Sequence, residues 1–167
     1  EGTPVGVGMI DVAVTGMGVV SPLGNGAAAA FGNAQAGRSA IHCLDVPFAM
    51  RLVAPLVASA SFDASEHFEP PKRRMLDRVS QFALVAATQA LGGAHDALSQ
   101  LDRSRAGVFV GTGMGGSQTS DDGYKTLYGD HSDRIKPSTI LTGMHHAPAA
   151  RLGLEYPLHG PHLPSSP

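Results

Sequence analysis

A short buried strand that runs into a cluster of glycines constrains this chain more than any other feature. Residues 107–111 read GVFVG, and residues 111–116 continue as GTGMGG. Glycines at the end of a buried strand let the backbone turn sharply and let another segment approach it closely. The stretch 12–18, VAVTGMG, has the same form. The two stretches therefore predict neighbouring strands of one sheet, with their glycine ends at the edge where α/β sheets bind ligands.

The remaining predicted strands fit the same architecture. Ile10–Thr15 is predicted as a strand because Val12, Val14 and their neighbours are apolar, and Gly107–Gly111 has a Val-Phe-Val centre. Such runs are typical of strands buried on both faces of a parallel sheet. Arg51–Ala60 is predicted as an edge or bulged strand because Pro55 interrupts it. Strands alternate with helical segments along the chain, so we predict an α/β fold with a mostly parallel sheet flanked by helices.

Helical segments are predicted between and after these strands. Lys72–Leu91 is the clearest, because apolar side chains recur at helical spacing; they are Met75, Val79, Phe82, Ala86 and Ala90. The others are Gly26–Ala36, capped by Asn25, then Pro137–Met144, and a continuation to Tyr156 that Pro148 either begins or kinks. The stretch between Gly116 and Lys136 is predicted as a polar loop with one helical turn near Tyr124–Tyr128. Prolines predict no helix over Pro157–Pro167 and no central strand in Pro164–Pro167.

Composition excludes several classes of function. The formal charge of −2 over 167 residues gives no overall field for nucleic acid or acidic membranes. No apolar run approaches the roughly 20 residues that cross a bilayer. Cys43, the single cysteine, excludes an internal disulfide framework, and we expect it to be a small buried hydrophobe in a cytoplasmic protein. Met9 resembles an original start, so residues 1–8 are expected to be an upstream segment and not a secretory signal.

Two sequence patterns are typical of ligand sites, one for a nucleotide and one for a metal ion. Gly111–Gly116 matches G-x-G-x-x-G, which holds a phosphate at a helix N-terminus in dinucleotide sites. No clear helix is predicted directly after Gly116, and no strand ending in an acidic residue follows about 20 residues later, which counts against a nucleotide. The histidines His145, His146, His159 and His162 have no cysteine or carboxylate at ligand spacing. We therefore predict exposed or partly buried histidines and no metal site.

The basic triplet Lys72-Arg73-Arg74 falls at the start of the predicted helix. Cations at that end oppose the helix dipole, so helix stability does not explain them. They form either a solvated patch or a docking site for an acidic partner.

Four stretches resemble β-ketoacyl-acyl carrier protein synthases in their order and spacing. They are Val12–Gly24, Arg73–Leu91, Gly107–Gly116 and Pro137–Pro161. The resemblance implies an incomplete thiolase-like fold, a homodimer or association with further chains, and decarboxylative Claisen condensation in fatty acid or polyketide synthesis. It implies no metal or cofactor. We expect a truncated N-terminal domain over residues 9–161 and a divergent tail over 162–167.

The resemblance also implies roles for particular residues. Thr112, Gly113 and Met114 match the turn at the floor of the acyl pocket, and Ile140 and Met144 match the segment that lines the pocket of a partner subunit. Ordinary core packing is the alternative for the three apolar side chains. Lys72, Arg73 and Arg74 match the docking surface for the acidic acyl carrier protein.

No catalytic residue carries over from the family. Its nucleophilic cysteine follows the segment similar to Leu158–Pro161, and its two catalytic histidines lie further along, so we expect this chain to be inactive alone. Uncovered apolar faces are expected to make it poorly stable or oligomeric. Two alternatives stay open, namely a non-catalytic partner that binds carrier protein or acyl groups, and a nucleotide-binding α/β domain.

Overall fold

A computed structural model describes residues 11–92, 98 and 100–165. Six short strands pair within it as three two-stranded sheets. They are β1 (Val20–Ser21) with β2 (Gly24–Asn25), β3 (His42–Cys43) with β4 (Leu56–Val57), and β5 (Val108–Gly111) with β6 (His162–Ser165). The first two pairs are antiparallel and the third is parallel. The α/β prediction is therefore supported, while its parallel character is confined to β5 and β6 within the described residues.

Helices lie between these strands along the described part of the chain. They are α1 (Ala27–Gln35), α2 (Pro70–Arg73), α3 (Arg78–Leu91), α4 (Ser117–Tyr124), α5 (Ser138–Gly143) and α6 (Ala147–Glu155). Single 3-10 turns cover Ala49–Arg51, Ala64–Glu66 and Arg103–Arg105, and a π-helical turn covers Lys125–Gly129. No described helix is long and apolar enough to cross a membrane.

The core lies where α3, α6 and β5 meet. Its buried apolar side chains are Phe68, Leu76, Leu84, Val85, Val108, Ala149 and Leu152. Val108 is 8% exposed on this side of β5, whereas Phe109 on the opposite face is 71% exposed. Among the described residues, the β5–β6 pair is therefore covered on one face, while the other face leaves Phe109 open.

The predicted helix Lys72–Leu91 is two helices. Pro70 and Pro71 open α2 at its first turn, where a missing N–H costs nothing. Asp77 then starts α3 by accepting a hydrogen bond from Val79 N at 3.1 Å. The basic triplet consequently lies at the end of α2 and not at the start of the long helix. At a helix C-terminus the helix dipole stabilises cations.

The apolar stripe predicted on α3 is not its most buried face. That face comprises Ser80, Gln81, Leu84 and Val85. Met75 precedes the helix and is exposed, and Val79 and Phe82 are half-buried. Apolar spacing failed here because α3 packs on α6 through the core that holds Leu84 and Val85. Its Ala86–Ala90 side is covered by a glycine segment described next.

Residues 11–19 form no strand, so the predicted strand Ile10–Thr15 is wrong over its described residues, and Ile10 lies outside them. Val12 and Val14 are exposed. A Cβ on Gly16 would stand 1.9 Å from Ala90 O, and one on Gly18 would stand 1.8 Å from Ala86 O. These glycines let an extended segment lie on the backbone of α3, so the two glycine stretches do not mark neighbouring strands.

Three smaller predictions also change. Gly26, with φ of 91°, occupies the N-cap of α1, while the Asn25 side chain donates to Ser61 O. The predicted strand Arg51–Ala60 shrinks to Leu56–Val57, directly after Pro55. Helix α4 replaces the predicted polar loop from Ser117 onward, because contacts with α5 and Asp77 hold a sequence that carries no apolar stripe of its own.

The C-terminal segment was predicted in part. Pro148 lies in the first turn of α6, as expected. Pro164, however, lies within β6. The carbonyls of Pro161 and Ser165 accept from Val108 N and Thr112 N on β5. Because strand residues alternate, the nitrogen of Pro164 faces away from β5, and its missing N–H removes no bond from this ladder.

Candidate functional site

The turn after β5 holds the residues that match the floor of an acyl pocket. Thr112 N donates to Ser165 O at 2.9 Å and continues the ladder to the end of β6. The chain then reverses at Gly116, whose φ is 78°. A Cβ on Gly116 would stand 2.0 Å from Gly143 O, so only glycine allows the turn to rest on the end of α5.

This contact brings the two predicted pocket segments together. Gly115 lies beside the backbone of His145 in the turn between α5 and α6, next to Met144. The segment that contains Thr112, Gly113 and Met114 is therefore adjacent to the segment that ends in Met144.

The apolar side chains of these segments face outward. Met114 is 78% exposed, Ile140 is 74% exposed and Met144 is 38% exposed. The interpretation of these three residues as ordinary core is therefore wrong for this chain. Large apolar side chains exposed on a folded domain are candidates for surfaces that contact something else.

Helix α4 starts directly after Gly116, contrary to the argument used against a nucleotide site. The fit of Gly116 against Gly143 nevertheless accounts for the last glycine of the pattern through protein packing. The geometry of this turn therefore gives the glycine pattern a structural role, with no need for a phosphate.

The side chains of the basic triplet have different partners. The Lys72 Nζ bonds both carboxylate oxygens of Glu155 on α6 at 2.7 Å. Arg74 instead donates its Nε to Pro70 O and lines a cavity that α4 and α5 share. Arg73 forms no ion pair within the described residues.

Sequence reasoning missed two cations beside Arg74. Arg134 and Lys136 line the same cavity, although they lie about 60 residues further along the chain. Their signal in the sequence is the polar stretch before Pro137, which by itself predicts only a loop. Only the packing of α4 and α5 shows that this loop reaches Arg74.

The single cysteine and the histidines are placed as follows. Cys43 is exposed on the short strand β3, so its prediction as a buried hydrophobe is wrong. His145, His146 and His159 are exposed and His162 is partly buried, as expected. Across the described ranges no group of three metal-ligating side chains comes together. The ring of His162 packs on Gly153, where a Cβ would stand 2.0 Å from it.

Comparison with known proteins identifies the family. The model of the β-ketoacyl synthase N-terminal domain matches residues 9–166. The chain belongs to this family. A 3-oxoacyl-[acyl-carrier-protein] synthase 2 of Staphylococcus aureus (strain MRSA252) is 31% identical over 132 residues, which cover 77% of this chain and 31% of that protein. The chloroplastic 3-oxoacyl-[acyl-carrier-protein] synthase I of Arabidopsis thaliana is 31% identical over 154 residues, 90% of this chain and 33% of that protein.

Solved ketosynthases share the fold. A β-ketoacyl synthase from Burkholderia phymatum superposes with a TM-score of 0.68 at 24% identity, over 88% of this chain and 37% of the other. A type II polyketide ketosynthase, solved in complex with its acyl-carrier protein and bound to the hexaketide, gives 0.67 at 24% identity, over 92% and 40%. The chain thus spans about a third of the length of the curated relatives it matches.

Proposed function

We propose that this chain is the N-terminal part of a β-ketoacyl-acyl carrier protein synthase that extends acyl chains in fatty acid or polyketide synthesis. The proposed reaction joins the malonyl carbon to the acyl carbonyl carbon, releases carbon dioxide and frees the thiolate that held the acyl group. The family match over residues 9–166 is the observation that carries this proposal. The proposed compartment is the cytoplasm.

The proposed role of this part is to contribute to the acyl pocket. Thr112, Gly113 and Met114 follow β5, and Met144 lies in the segment that packs on this turn. Exposed methionines suit a surface that receives flexible acyl chains, because their side chains are unbranched and adaptable. Ile140, further along the same exposed surface segment, is proposed to line the pocket of a partner subunit.

Condensation by this chain alone is not expected. A thiolate needs a base or a nearby positive charge to be reactive. Cys43 is the only cysteine of the 167 residues, and it lies exposed on a two-residue strand whose opposite neighbour is Leu56. We therefore propose a chain that binds but does not react by itself.

Acyl loading tests the absence of a nucleophile. The purified chain is incubated with acyl carrier protein thioesters or acyl-coenzyme A, and intact mass is measured, with Cys43→Ala as the matched control. No covalent adduct is expected. A stoichiometric adduct that disappears in Cys43→Ala would overturn the proposal, since the only cysteine would then form a thioester.

Carrier protein binding tests the proposed partner. Helices with an acidic surface would be attracted by Lys72, Arg73 and Arg74 at the end of α2. Arg73 is the most informative position because it forms no ion pair among the described residues. Arg73→Glu is expected to weaken binding several-fold and to reduce its salt dependence, while Arg51→Glu, an exposed cation elsewhere, leaves both unchanged. Equal affinities of the two variants would contradict this docking surface.

Association through apolar surface is the last part of the proposal. Phe109, Met114 and Ile140 are each more than two-thirds exposed, so we propose a homodimer or association with further chains. Sedimentation velocity is expected to show species larger than a monomer. A monomer with a sharp melting transition at high temperature would contradict this.

A further inference from the structure

Three cations from separate parts of the chain line one cavity. Arg74 follows α2, while Arg134 and Lys136 come from the segment before α5. Within the described residues the ion pairs are Lys72–Glu155 and Lys125–Asp121, so none of these three cations is neutralised by a protein carboxylate. A concentration of unpaired like charges around a concave surface attracts anions.

The cavity also offers hydroxyl groups. Three of them are already engaged, because Thr119 donates to Asp77, Thr126 to Asp122 O and Thr142 to Ser138 O. Ser138 and Thr139 line the cavity as well, and neither donates its hydroxyl to another described residue. Hydroxyls beside cations complete the set of donors that a tetrahedral oxyanion accepts from.

Charge and size restrict the ligand. Asp122 is the one carboxylate in the lining, so three cations leave a local excess of two positive charges. The cavity volume is about 250 Å³, below the roughly 300–1,000 Å³ of pockets for drug-sized molecules. A small dianion with a few waters fits this space, whereas a dinucleotide does not.

We propose that the cavity lined by Arg74, Arg134 and Lys136 binds a doubly charged oxyanion of the phosphate class. The site uses no acyl group and no thiol, and of its three cations only Arg74 also belongs to the proposed docking surface for the carrier protein. The guanidinium groups of Arg74 and Arg134 supply forked donors for two oxygens, and Lys136 supplies a point charge. Ser138 and Thr139 donate to the remaining oxygens.

Calorimetric titration of the whole 167-residue chain with inorganic phosphate tests the site, at about pH 8 so that the probe is mainly a dianion. Ionic strength is held constant with chloride. Glycerol 3-phosphate is titrated in a second arm, which separates free phosphate from a phosphate monoester as the preferred form. Saturable one-to-one binding of either probe is expected, and the absence of saturation with both would overturn the proposal.

Variants that remove a positive charge and a variant that removes the negative charge are expected to change phosphate affinity in opposite directions, which locates the site. Arg134→Gln and Lys136→Gln are each expected to weaken binding roughly tenfold, the loss of one charge-assisted hydrogen bond. Asp122→Asn is expected to tighten binding, because it removes the only negative charge of the lining. Arg51→Gln, outside the cavity, serves as the matched control. Unchanged affinity in Arg134→Gln and Lys136→Gln, or weaker binding in Asp122→Asn, would overturn the site, and circular dichroism establishes that each variant is folded.

Discussion

Asp77 is expected to hold α3 and α4 together, and its replacement is the most informative test of the fold. It is 5% exposed. One carboxylate oxygen accepts from Val79 N at 3.1 Å and caps α3, and the other accepts from Thr119 N at 3.0 Å and from the Thr119 hydroxyl on α4. One buried side chain thus joins two helices that no apolar stripe connects.

The expected cost follows from these bonds. Loss of an N-cap costs about 1 kcal/mol, and loss of a buried hydrogen bond to a charged group costs about 2 kcal/mol. Asp77→Ala is therefore expected to lower the free energy of unfolding by about 3 kcal/mol, a large part of the roughly 5–15 kcal/mol of a typical domain. Urea denaturation followed by circular dichroism measures this change.

Two variants separate the contributions. Asp77→Asn keeps an oxygen for Val79 N but presents an amide to α4, so an intermediate loss is expected. Asp63→Ala removes a similar cap from an exposed 3-10 turn, with Ser65 as its partner, and is expected to shift the denaturation midpoint little. A loss below about 1 kcal/mol in Asp77→Ala would refute the argument that this carboxylate joins the helices.

Further predictions concern a glycine, an acid and an ion pair. Gly116→Ala is expected to cost at least about 2 kcal/mol in urea denaturation, since it combines a positive φ with a clash on Gly143; Gly26→Ala, which has a positive φ and open space, should cost less. The Ser65 hydroxyl and backbone N–H hold the pKa of Asp63 below its ordinary 3.8, so its stabilising effect is present above that value and declines as pH falls through the lowered pKa; carboxyl NMR should show the pKa rising in Ser65→Ala. Lys72→Gln should change stability by less than about 1 kcal/mol, because the pair with Glu155 is part exposed.

The sequence predicted elements wherever one local signal decided the structure. The run GVFVG gave β5, and Pro148 marked the first turn of α6. The predictions failed where a contact between residues distant in the sequence determined the structure. Residues 12–18 show the same strand-and-glycine form as β5, yet they lie extended on α3, and only the close approach of Gly16 and Gly18 to that helix distinguishes the two cases.

The candidate sites divide in the same way. The turn with Thr112, Gly113 and Met114 was predictable because it follows a strand with a clear local pattern. The cavity of Arg74, Arg134 and Lys136 was not, because its members lie about 60 residues apart and α4, which lines it, has no apolar periodicity. Its position depends on Asp77 and on packing against α5, neither of which a local window contains.

The two faces of the β5–β6 pair differ in how well they are covered, and the exposed face requires a further layer of protein. Register pairs Phe109 with Leu163 on the open face, and Val108 with His162 on the face against α6. A phenylalanine side chain carries roughly 150–250 Å² of surface, so covering the 71% of Phe109 that is exposed stabilises by about 3 kcal/mol at roughly 25 cal/mol per Å². The strand sequence is apolar at consecutive positions, which is typical of strands covered on both faces. The same pattern that predicts β5 therefore also predicts a second layer over Phe109, and the proposed association supplies that layer at the edge where Met114 is exposed.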